Sequence, residues 1–549
     1  MSSCPNAVVP SPSAPTWKNW SGNLVHSPAQ DGVKYYFMPA NLTELKSVLA
    51  DAKAKGVTVR VTGQRHSQSP LVVDDNRDAV PQTTKSYLVD MSCYKDLGPH
   101  QDQSIALGPG KNQVTVNAGV REDELDAFLT QNNLMLKTVT AGGFFGLGGM
   151  TAVDVHGGTM DAPIFAETVS AFNLVLADGT VKTIDQQSPA VGGWSPLQFA
   201  RVSLGGLGIV TSVTIDVLER KFATTLQGGV KRYRITDKSG FVSQFQPLLT
   251  HTRLETFFTP YAAKWWPQNS FWALWWDVVN GPTPETDNKP PDPYPPTACH
   301  LASQPQPTFG APDMGPFLEG FSQALAQSAQ SSYIPEDAGI IAKIALDVIE
   351  KQVAAANASH SELWLAEAAR VIFMSYYVPL PDPKVPDYKA KALGIVWDGL
   401  DAVSQIVTGY GNFHIAAPIE FRFVKGGKSA MSGTYSENPD AWFVNLDIIG
   451  FVDAEQKASG YPPDLLKFFA DVERAWVKLG GFPHQGKMYG FYDPKDKDTH
   501  SKTAPFNPKF LAELRTRRGE RLKAFNAYRK SLDPNGLFYN DFLRQLLEG

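Results

Sequence analysis

The first part of the chain alternates between helical and strand-like spacing of apolar residues. In "PANLTELKSVLADAKAKG" (39–56), Asn41 and Glu44 have the spacing of a capping box, which predicts the start of a helix. The apolar residues of this stretch share one helix face: Leu45, Val48, Leu49 and Ala52. The β-branched run "VTVRV" (57–61) then predicts a strand that ends at Gly63 and leads into the loop "QRHSQSP".

Further patterns complete a first, glycine-rich unit. "QVTVNAGV" predicts a strand and "REDELDAFLTQNN" predicts a helix. "VSAFNLVLADGTVKTI" predicts a hairpin that turns at Asp178 and Gly179, and "SLGGLGIVTSVTIDVLE" adds a glycine turn and a long strand. Residues 1–218 are therefore predicted to form one α+β domain.

The pattern changes after residue 218. An aromatic segment at 257–276 contains five tryptophans, and a proline-rich stretch at 280–307 predicts a long surface loop. Helical spacing follows at 317–356 and 389–407, together with the strand-like runs "ARVIFMSYYVPL", "APIEFRFV" and "AWFVNLDIIGF". This mixture of strands and helices predicts a second α+β domain.

Composition narrows the class of protein. A chain of 549 residues needs more than one core, and 43% hydrophobic with 19% charged residues is typical of a globular protein. The net charge of -5 favours neither nucleic acid nor an anionic membrane as partner. No apolar run is long enough to span a bilayer, and the start "MSSCPNAVVPSPSAP" lacks a signal-peptide pattern. A cytoplasmic protein is expected, although a trimmed secreted chain would look the same.

Cysteine, histidine and glycine patterns bear on metals and cofactors. Three distant cysteines imply no disulfide framework, and the ten histidines show no ligand spacing, so no metal is expected. The glycine runs "GLGGMT" and "GGLGIV" both break the Rossmann spacing, and a Walker motif is missing. A dinucleotide would therefore have to be bound by backbone N–H groups in turns.

Six segments together resemble the vanillyl-alcohol oxidase type of flavoprotein oxidases. In chain order they are "NWSGNLVHSPA", "RVTGQRHSQSP", "TAGGFFGLGGMTAVDVHGG", "VLADGTV", "SLGGLGIVTSVT" and "DPNGLFYNDF". The resemblance implies a two-domain α+β fold with a non-Rossmann FAD-binding domain (1–218) and an α+β substrate-binding cap domain (219–500). Residues 501–549 would return to the FAD-binding domain.

Two branches of this family compete. "EFR" (420–422) is similar to the Glu-x-Arg of both the class II cholesterol oxidases and the alditol and aldonolactone oxidases. "PHQGK" (483–487) and "NWSGN" resemble the sugar-type branch. Chain length, the aromatic segment and the proline-rich loop are more similar to the cholesterol oxidase branch.

The resemblance also assigns the cofactor. His66 matches the histidine that these families bond to the 8α carbon of the flavin, so one covalent 8α-histidyl link to FAD is expected and no cysteinyl link. A loop histidine that is merely hydrogen-bonded is the alternative. The expected cofactor-binding residues are His66, Gly63, Gln64, Arg65, Ser67, Gln68, Gly142, Gly146, Gly148, Gly149, His156, Gly157, Gly208, Ile209, Val210 and Asn540.

Candidate catalytic residues come from two strand patterns and one loop. Glu420 and Arg422 are two apart on a strand and therefore face the same side. By resemblance, the arginine stabilises the reduced flavin and a developing alkoxide, and the glutamate either accepts the hydroxyl proton or orients the arginine. Lys487 matches an active-site lysine, and Asn445 or Asp447 would face the substrate. An exposed salt bridge is the structural alternative for the Glu/Arg pair.

The predicted function is oxidation of a primary or secondary alcohol, with hydride transfer to flavin N5 and reoxidation by O2 to give H2O2. If the aromatic segment lines the pocket, the small-molecule substrate is hydrophobic or ring-bearing; the same tryptophans could instead form core. A polyol or aldonolactone oxidase is the alternative within enzymes. A flavin-binding protein without turnover is the alternative from another class.

Overall fold

The computed structural model describes most of the chain. The described residues are 17–26, 35–74, 86–140, 143–219, 224–261, 271–280, 346–347, 371–410, 413–415, 417–451, 461–498 and 502–549. The proline-rich stretch at 281–307 and, apart from residues 346–347, the helical pattern at 317–356 lie outside this set. All statements below concern the described residues.

Strands and helices are numbered here in chain order. The strands are β1 (Trp17–Lys18), β2 (Val25–His26), β3 (Tyr36–Phe37), β4 (Thr58–Thr62), β5 (Ser86–Asp90), β6 (Ile105–Leu107), β7 (Gln113–Asn117), β8 (Leu134–Met135), β9 (Val169–Val175), β10 (Val181–Asp185), β11 (Ile209–Asp216), β12 (Leu218–Glu219), β13 (Thr224–Tyr233), β14 (Arg253–Phe258), β15 (Phe271–Asn280), β16 (Val371–Pro379), β17 (Ile419–Lys425), β18 (Trp442–Phe451) and β19 (Phe482–Pro483). The helices are α1 (Leu42–Lys55), α2 (Glu122–Gln131), α3 (Leu147–Ala152), α4 (Pro196–Ala200), α5 (Lys238–Phe245), α6 (Tyr388–Thr408), α7 (Pro463–Lys478), α8 (Pro508–Leu532) and α9 (Asp541–Leu547). Two 3-10 helices cover Phe165–Thr168 and Gln246–Thr250.

Helix α1 begins and ends as its sequence predicts. The side chain of Asn41 accepts a hydrogen bond from the backbone N–H of Glu44, whose carboxylate accepts from the N–H of Ala40 at 2.8 Å. The helix ends at Gly56, which has φ +66°, a conformation that glycine adopts without strain. The predicted apolar face is buried.

Two larger sheets lie in the first half of the chain, in addition to the two-stranded pairs β1–β2 and β8–β12. Strands β3, β5 and β4 pair in parallel, and β10, β9, β11, β7 and β6 pair antiparallel in that order. The predicted hairpin is β9 and β10, with Val175 opposite Val181. The loops that leave β4 and enter β11 therefore lie at sheet ends, where turns can present backbone N–H groups to a ligand.

Seven of the described strands form one larger antiparallel sheet, in the order β13, β15, β14, β17, β18, β16, β19. Strand β17 lies between β14 and β18, with Glu420 opposite Phe257 on one side and Asp447 on the other. This register brings polar side chains of β14, β17 and β18 next to one another in the middle of the sheet. The mixed architecture agrees with the α+β fold class expected from sequence.

The C-terminal segment is tied to the first strands by buried Arg60. Its guanidinium group donates to the carbonyl oxygens of Leu71 (2.7 Å), Gly205 (3.0 Å), Leu204 (2.8 Å) and Phe538 (2.6 Å). Burial lowers the pKa of Arg60 to about 10, so the group stays charged at neutral pH. These bonds join the loop before β11 to the segment before α9, although the domain boundaries at 218 and 500 stay predictions.

Candidate active site

A cavity of about 240 Å³ lies between the two halves of the fold. Its walls come from the loop after β4, the start of α3, the loop before β11, the middle of β17 and β18, and the loop after β19. The structure brings together here these residues expected to form the site: Gly63, Gln64, Arg65, His66, Ser67, Gly146, Gly148, Gly149, His156, Gly208, Val210, Glu420, Arg422, Asp447 and Lys487.

Other expected site residues lie outside the cavity lining: Gln68, Gly157, Ile209, Asn445 and Asn540. Gln68 binds β16, because its amide donates to the carbonyl of Val371 and accepts from the N–H of Phe373, both at 2.8 Å. Asn540 caps α9 and donates to Pro70 O at 2.9 Å. Both side chains thus hold the walls of the cavity in place. Gly142 falls outside the described residues.

Asn445 and Asp447 take different positions on β18. Asn445 is fully buried and donates through Nδ2 to Ser375 Oγ at 2.8 Å, whereas Asp447 reaches the cavity. Burial raises the pKa of Asp447, while Lys487, Ser375 and Arg422 oppose that shift. Of the two strand positions, only Asp447 borders the cavity.

His66 lies between aromatic rings at the end of the loop that follows β4. Its ring centroid is 4.7 Å from that of Trp20 and 4.7 Å from that of Phe145. Burial, with a smaller effect of the nearby Lys487 charge, lowers the pKa of His66 well below its ordinary value. The imidazole is therefore neutral at physiological pH, which is the form that can act as a nucleophile.

The loop reaches this position through a left-handed residue. Arg65 has φ +60°, an uncommon value for a residue with a side chain, and its carbonyl accepts a bond from the N–H of Trp20 at 2.8 Å. Such conformations persist where the surrounding structure fixes them, often at functional sites. The turn that presents His66 is thus made without a second glycine.

Three charged side chains meet on the cavity side of β17. One Arg422 nitrogen, Nη2, contacts carboxylate oxygens of both Glu420 and Glu255, the latter from neighbouring β14. Burial raises the pKa of Glu420 well above its ordinary value; Glu255 and Asp447 add to the shift and Arg422 opposes it. Two carboxylates therefore share one guanidinium group, and the neighbouring Glu255 favours the protonated form of Glu420.

Lys487 completes the charged wall. Its ammonium nitrogen lies 3.9 Å from the ring centroid of Phe373, a cation–π contact that fixes a flexible side chain. It borders the cavity together with His66 and Asp447. A cation here lies between the aromatic end of the cavity and its carboxylates.

Glu255 and His484 belong to the site but were not among the residues expected from sequence. Glu255 is buried at 2% exposure and bonds Arg422 from a strand that carries no motif. His484 lines the cavity within the "PHQGK" segment, where only Lys487 had been assigned a role. The "PHQGK" segment is a sequence signal that could have identified His484. Glu255 has no such signal, and only the pairing of its strand with β17 shows that it reaches Arg422.

The glycines of the cavity leave space for a cofactor. A Cβ added at Gly63 or Gly149 would meet no protein atom within 4 Å, although both residues line the cavity. By contrast, a Cβ at Gly157 would lie 1.7 Å from Val139 O, so this glycine serves backbone packing. The open side of Gly63 and Gly149, beside the neutral His66, fits the FAD that the motifs imply.

We expect Gly149→Ala to fold but to lose flavin. Alanine is favoured over glycine inside a helix by up to about 1 kcal/mol, and no protein atom opposes the added methyl group. The methyl group would instead occupy cofactor space, so flavin content per chain should fall while the melting temperature of the flavin-free protein holds or rises. Absorbance and thermal unfolding measure both quantities.

The matched control is Gly157→Ala, which should lower the melting temperature because its Cβ collides with Val139 O. Full flavin content in Gly149→Ala would show that this space does not hold the cofactor.

Comparison with known proteins gives two family matches. Residues 33–185 match the FAD binding domain family, and residues 315–546 match the D-arabinono-1,4-lactone oxidase family. L-gulonolactone oxidase of Bos taurus is 23% identical over 544 residues, covering 96% of this chain and 98% of that protein. L-gulonolactone oxidase of Mus musculus is 28% identical over 217 residues, which span 38% of this chain and 43% of the mouse protein.

The fold agrees with a solved flavoenzyme over its whole length. Cholesterol oxidase from B. sterolicum superposes with a TM-score of 0.70 at 16% identity, covering 100% of this chain and 99% of that chain. Fold and matched domains together define an FAD-dependent oxidoreductase.

The two matched domains and the fold confirm the resemblance of the six motifs to the vanillyl-alcohol oxidase type of FAD flavoproteins. Among the described residues, none of the helices combines the length and apolar character needed to cross a bilayer.

Proposed function

We propose that this protein oxidises a CH–OH group of a small polyhydroxylated molecule, an aldonolactone or a polyol, and passes the electrons to O2 to form H2O2. The observation that carries this proposal is the group of charged residues, Arg422, Glu420, Asp447 and Lys487, that borders one cavity. When bound, FAD supplies the hydride acceptor.

Arg422 is assigned to the substrate oxygen. A guanidinium group stabilises negative charge as the hydroxyl loses its proton, and this stabilisation is strongest in a cavity with little water. Glu255 and Glu420 both contact its Nη2, so its position is fixed before substrate binds. Positioning and charge therefore come from the same contacts.

Glu420 is assigned as proton acceptor. Glu255 also holds Arg422, so proton transfer at Glu420 would not release the guanidinium group. The raised pKa of Glu420 makes its ionised form a stronger base than an ordinary carboxylate, and the ionised fraction grows as the pH rises. Asp447 and Lys487 would then bind further hydroxyl or carbonyl oxygens of the substrate.

The tryptophans support a polar rather than a hydrophobic substrate. Trp272 and Trp276 are buried at 1% and 2% exposure in a separate cluster with Phe257, and Trp275 stacks on His251 with centroids 4.8 Å apart. These three do not line the cavity, and Trp265 and Trp266 lie outside the described residues. The premise for a hydrophobic or ring-bearing alcohol is thus weakened, since buried charges need polar partners.

We also propose that His66 attaches FAD covalently through the 8α carbon. Support comes from its neutral, partly buried imidazole and from the open space beside Gly63 and Gly149. His66 would supply the ring nitrogen that holds the cofactor, and forming this bond would release two protons and two electrons, which O2 would accept to give H2O2.

Peroxide formation in air tests the substrate class. We expect peroxide with L-gulono-1,4-lactone, D-arabinono-1,4-lactone or xylitol, and background with cholesterol, because only the compounds with several hydroxyl groups supply enough polar partners for the charged wall. Peroxide with cholesterol alone would favour the hydrophobic alternative. Turnover of the lactones with a dye but without peroxide would show that O2 is not the acceptor.

A further inference from the structure

Two neutral histidines in the cavity wall hold opposite tautomers. The carbonyl of Gly157 lies 3.4 Å from His156 Nδ1; because a carbonyl only accepts, this nitrogen carries the proton. In His484, Nδ1 accepts from the backbone N–H of Gly486 at 3.0 Å, so its proton is on Nε2. Among the described residues, the hydrogen bonds from both rings to the protein use Nδ1. Nε2 of His156 therefore remains as an acceptor for the cavity, and Nε2–H of His484 remains as a donor.

Tyr377 holds the two rings beside each other. The His484 ring stacks on Tyr377 at 18° with centroids 5.9 Å apart, and the His156 ring meets Tyr377 edge-on at 5.6 Å. The Tyr377 hydroxyl donates to the carbonyl of Asp154. The three rings therefore form one packed unit, and the two imidazole centroids are 6.2 Å apart.

Asp154 joins the two loops that carry these histidines. One of its carboxylate oxygens accepts from the N–H of Gln485 at 2.8 Å, and the other accepts from the N–H of Gly433 at 2.9 Å. Asp154 lies two residues before His156, and Gln485 directly follows His484. A buried carboxylate with these partners fixes the spacing of the pair before any ligand binds.

Both imidazoles stay neutral at physiological pH. Burial lowers the pKa of His156 to about 3, with a further contribution from the Arg422 charge. Burial and the Lys487 charge lower the pKa of His484 well below its ordinary value. The pair thus offers a neutral hydrogen-bond donor on His484 and a neutral acceptor on His156. Such a pair matches a ligand group that can both donate and accept a hydrogen bond.

We propose that His156 and His484 form a hydroxyl-binding site, in which His484 Nε2–H donates to a substrate hydroxyl and His156 Nε2 accepts from it. This inference rests on the proposed function and extends it, since it requires a second hydroxyl besides the one that is oxidised. With ring centroids 6.2 Å apart, one oxygen can lie about 2.8 Å from both nitrogens. The pair would select diols and polyols over simple alcohols.

A matched pair of variants tests this site. In His484→Asn, the amide oxygen can keep the bond from Gly486 N–H, but the donor at Nε2 is lost. In His484→Gln, the longer side chain can place its amide N–H near the position of Nε2. We expect KM and Kd for L-gulono-1,4-lactone to rise about 10- to 100-fold in the Asn variant and less in the Gln variant.

The discriminating probes are L-gulono-1,4-lactone and its analogues that each lack one hydroxyl. Wild type should already bind weakly to the analogue that lacks the hydroxyl held by the two histidines. For this analogue, His484→Asn should weaken binding little further. Calorimetry measures Kd independently of turnover, while thermal unfolding and flavin absorbance confirm that each variant is folded and loaded.

Each outcome separates the two proposals. Lactone binding that is unchanged by His484→Asn overturns the hydroxyl-binding site and leaves the proposed function standing. Lactone binding with the expected losses but without flavin reduction overturns the proposed function alone. If wild type binds neither the lactone nor xylitol, both fail. An Asn variant that changes flavin content or absorbance but not lactone affinity would place the pair at the cofactor instead.

Discussion

Replacing Arg422 with methionine should slow flavin reduction by substrate about 100- to 1000-fold, while flavin content stays near wild type. The reason is that the guanidinium stabilises charge that develops only as the hydroxyl loses its proton, whereas the proposed cofactor space borders Gly63, Gly149 and their loops. Loss of the cation also leaves Glu420 and Glu255 as two buried carboxyl groups without their shared partner. Anaerobic stopped-flow reduction measures the rate.

Lys425→Met is the matched control for this change. Lys425 ends the same strand and pairs with Asp161 at 2.8 Å at the protein surface, outside the cavity lining. It should therefore reduce flavin at nearly the wild-type rate, because exposed ion pairs contribute little. Near wild-type reduction in Arg422→Met would contradict the role given to this arginine.

Replacing His66 with alanine should abolish acid-stable flavin. The imidazole is the nucleophile assigned to the 8α carbon, and its position between Trp20 and Phe145 is fixed by the loop after β4. Acid precipitation should then release all flavin from the variant, whereas wild type should keep it on the peptide that contains residue 66. Fluorescence of the precipitate and peptide mapping measure both.

The exposed His100 provides the control, because His100→Ala removes an imidazole outside the cavity and should leave the flavin attached. If the wild-type precipitate is colourless while native protein is yellow, FAD is bound but the covalent link is not formed.

Local rules were enough to predict several elements. Helix α1 was predicted because its cap and apolar face lie within eighteen residues, and the β9–β10 hairpin because Asp178 and Gly179 define its turn. Glu420 and Arg422 were paired correctly on one strand face because residues two apart share a side of a strand. In each case neighbouring residues determine the feature.

The pairing of strands that lie far apart in the sequence determines contacts that the sequence pattern could not predict. Glu255 reaches Arg422 because β14 pairs with β17, more than 150 positions later in the chain, and no local motif marks that pairing. Similarly, glycine spacing does not distinguish Gly149, which borders open space, from Gly157, which packs against Val139. Contacts between distant strands and loops, rather than residue type, separate a ligand-binding glycine from a structural one.

Cysteine count was a similarly weak guide. Three cysteines implied no disulfide framework, yet the buried Cys93 is disulfide-bonded, since an odd count still permits one pair.

Anaerobic addition of L-gulono-1,4-lactone to the purified yellow protein tests whether the charged cavity wall serves a polyhydroxylated substrate. We expect the visible absorbance of the flavin to bleach and to return on admission of air with formation of peroxide. An absorbance that stays unchanged with this lactone, with D-arabinono-1,4-lactone and with xylitol would contradict the assignment of the charged cavity wall to a polyhydroxylated substrate.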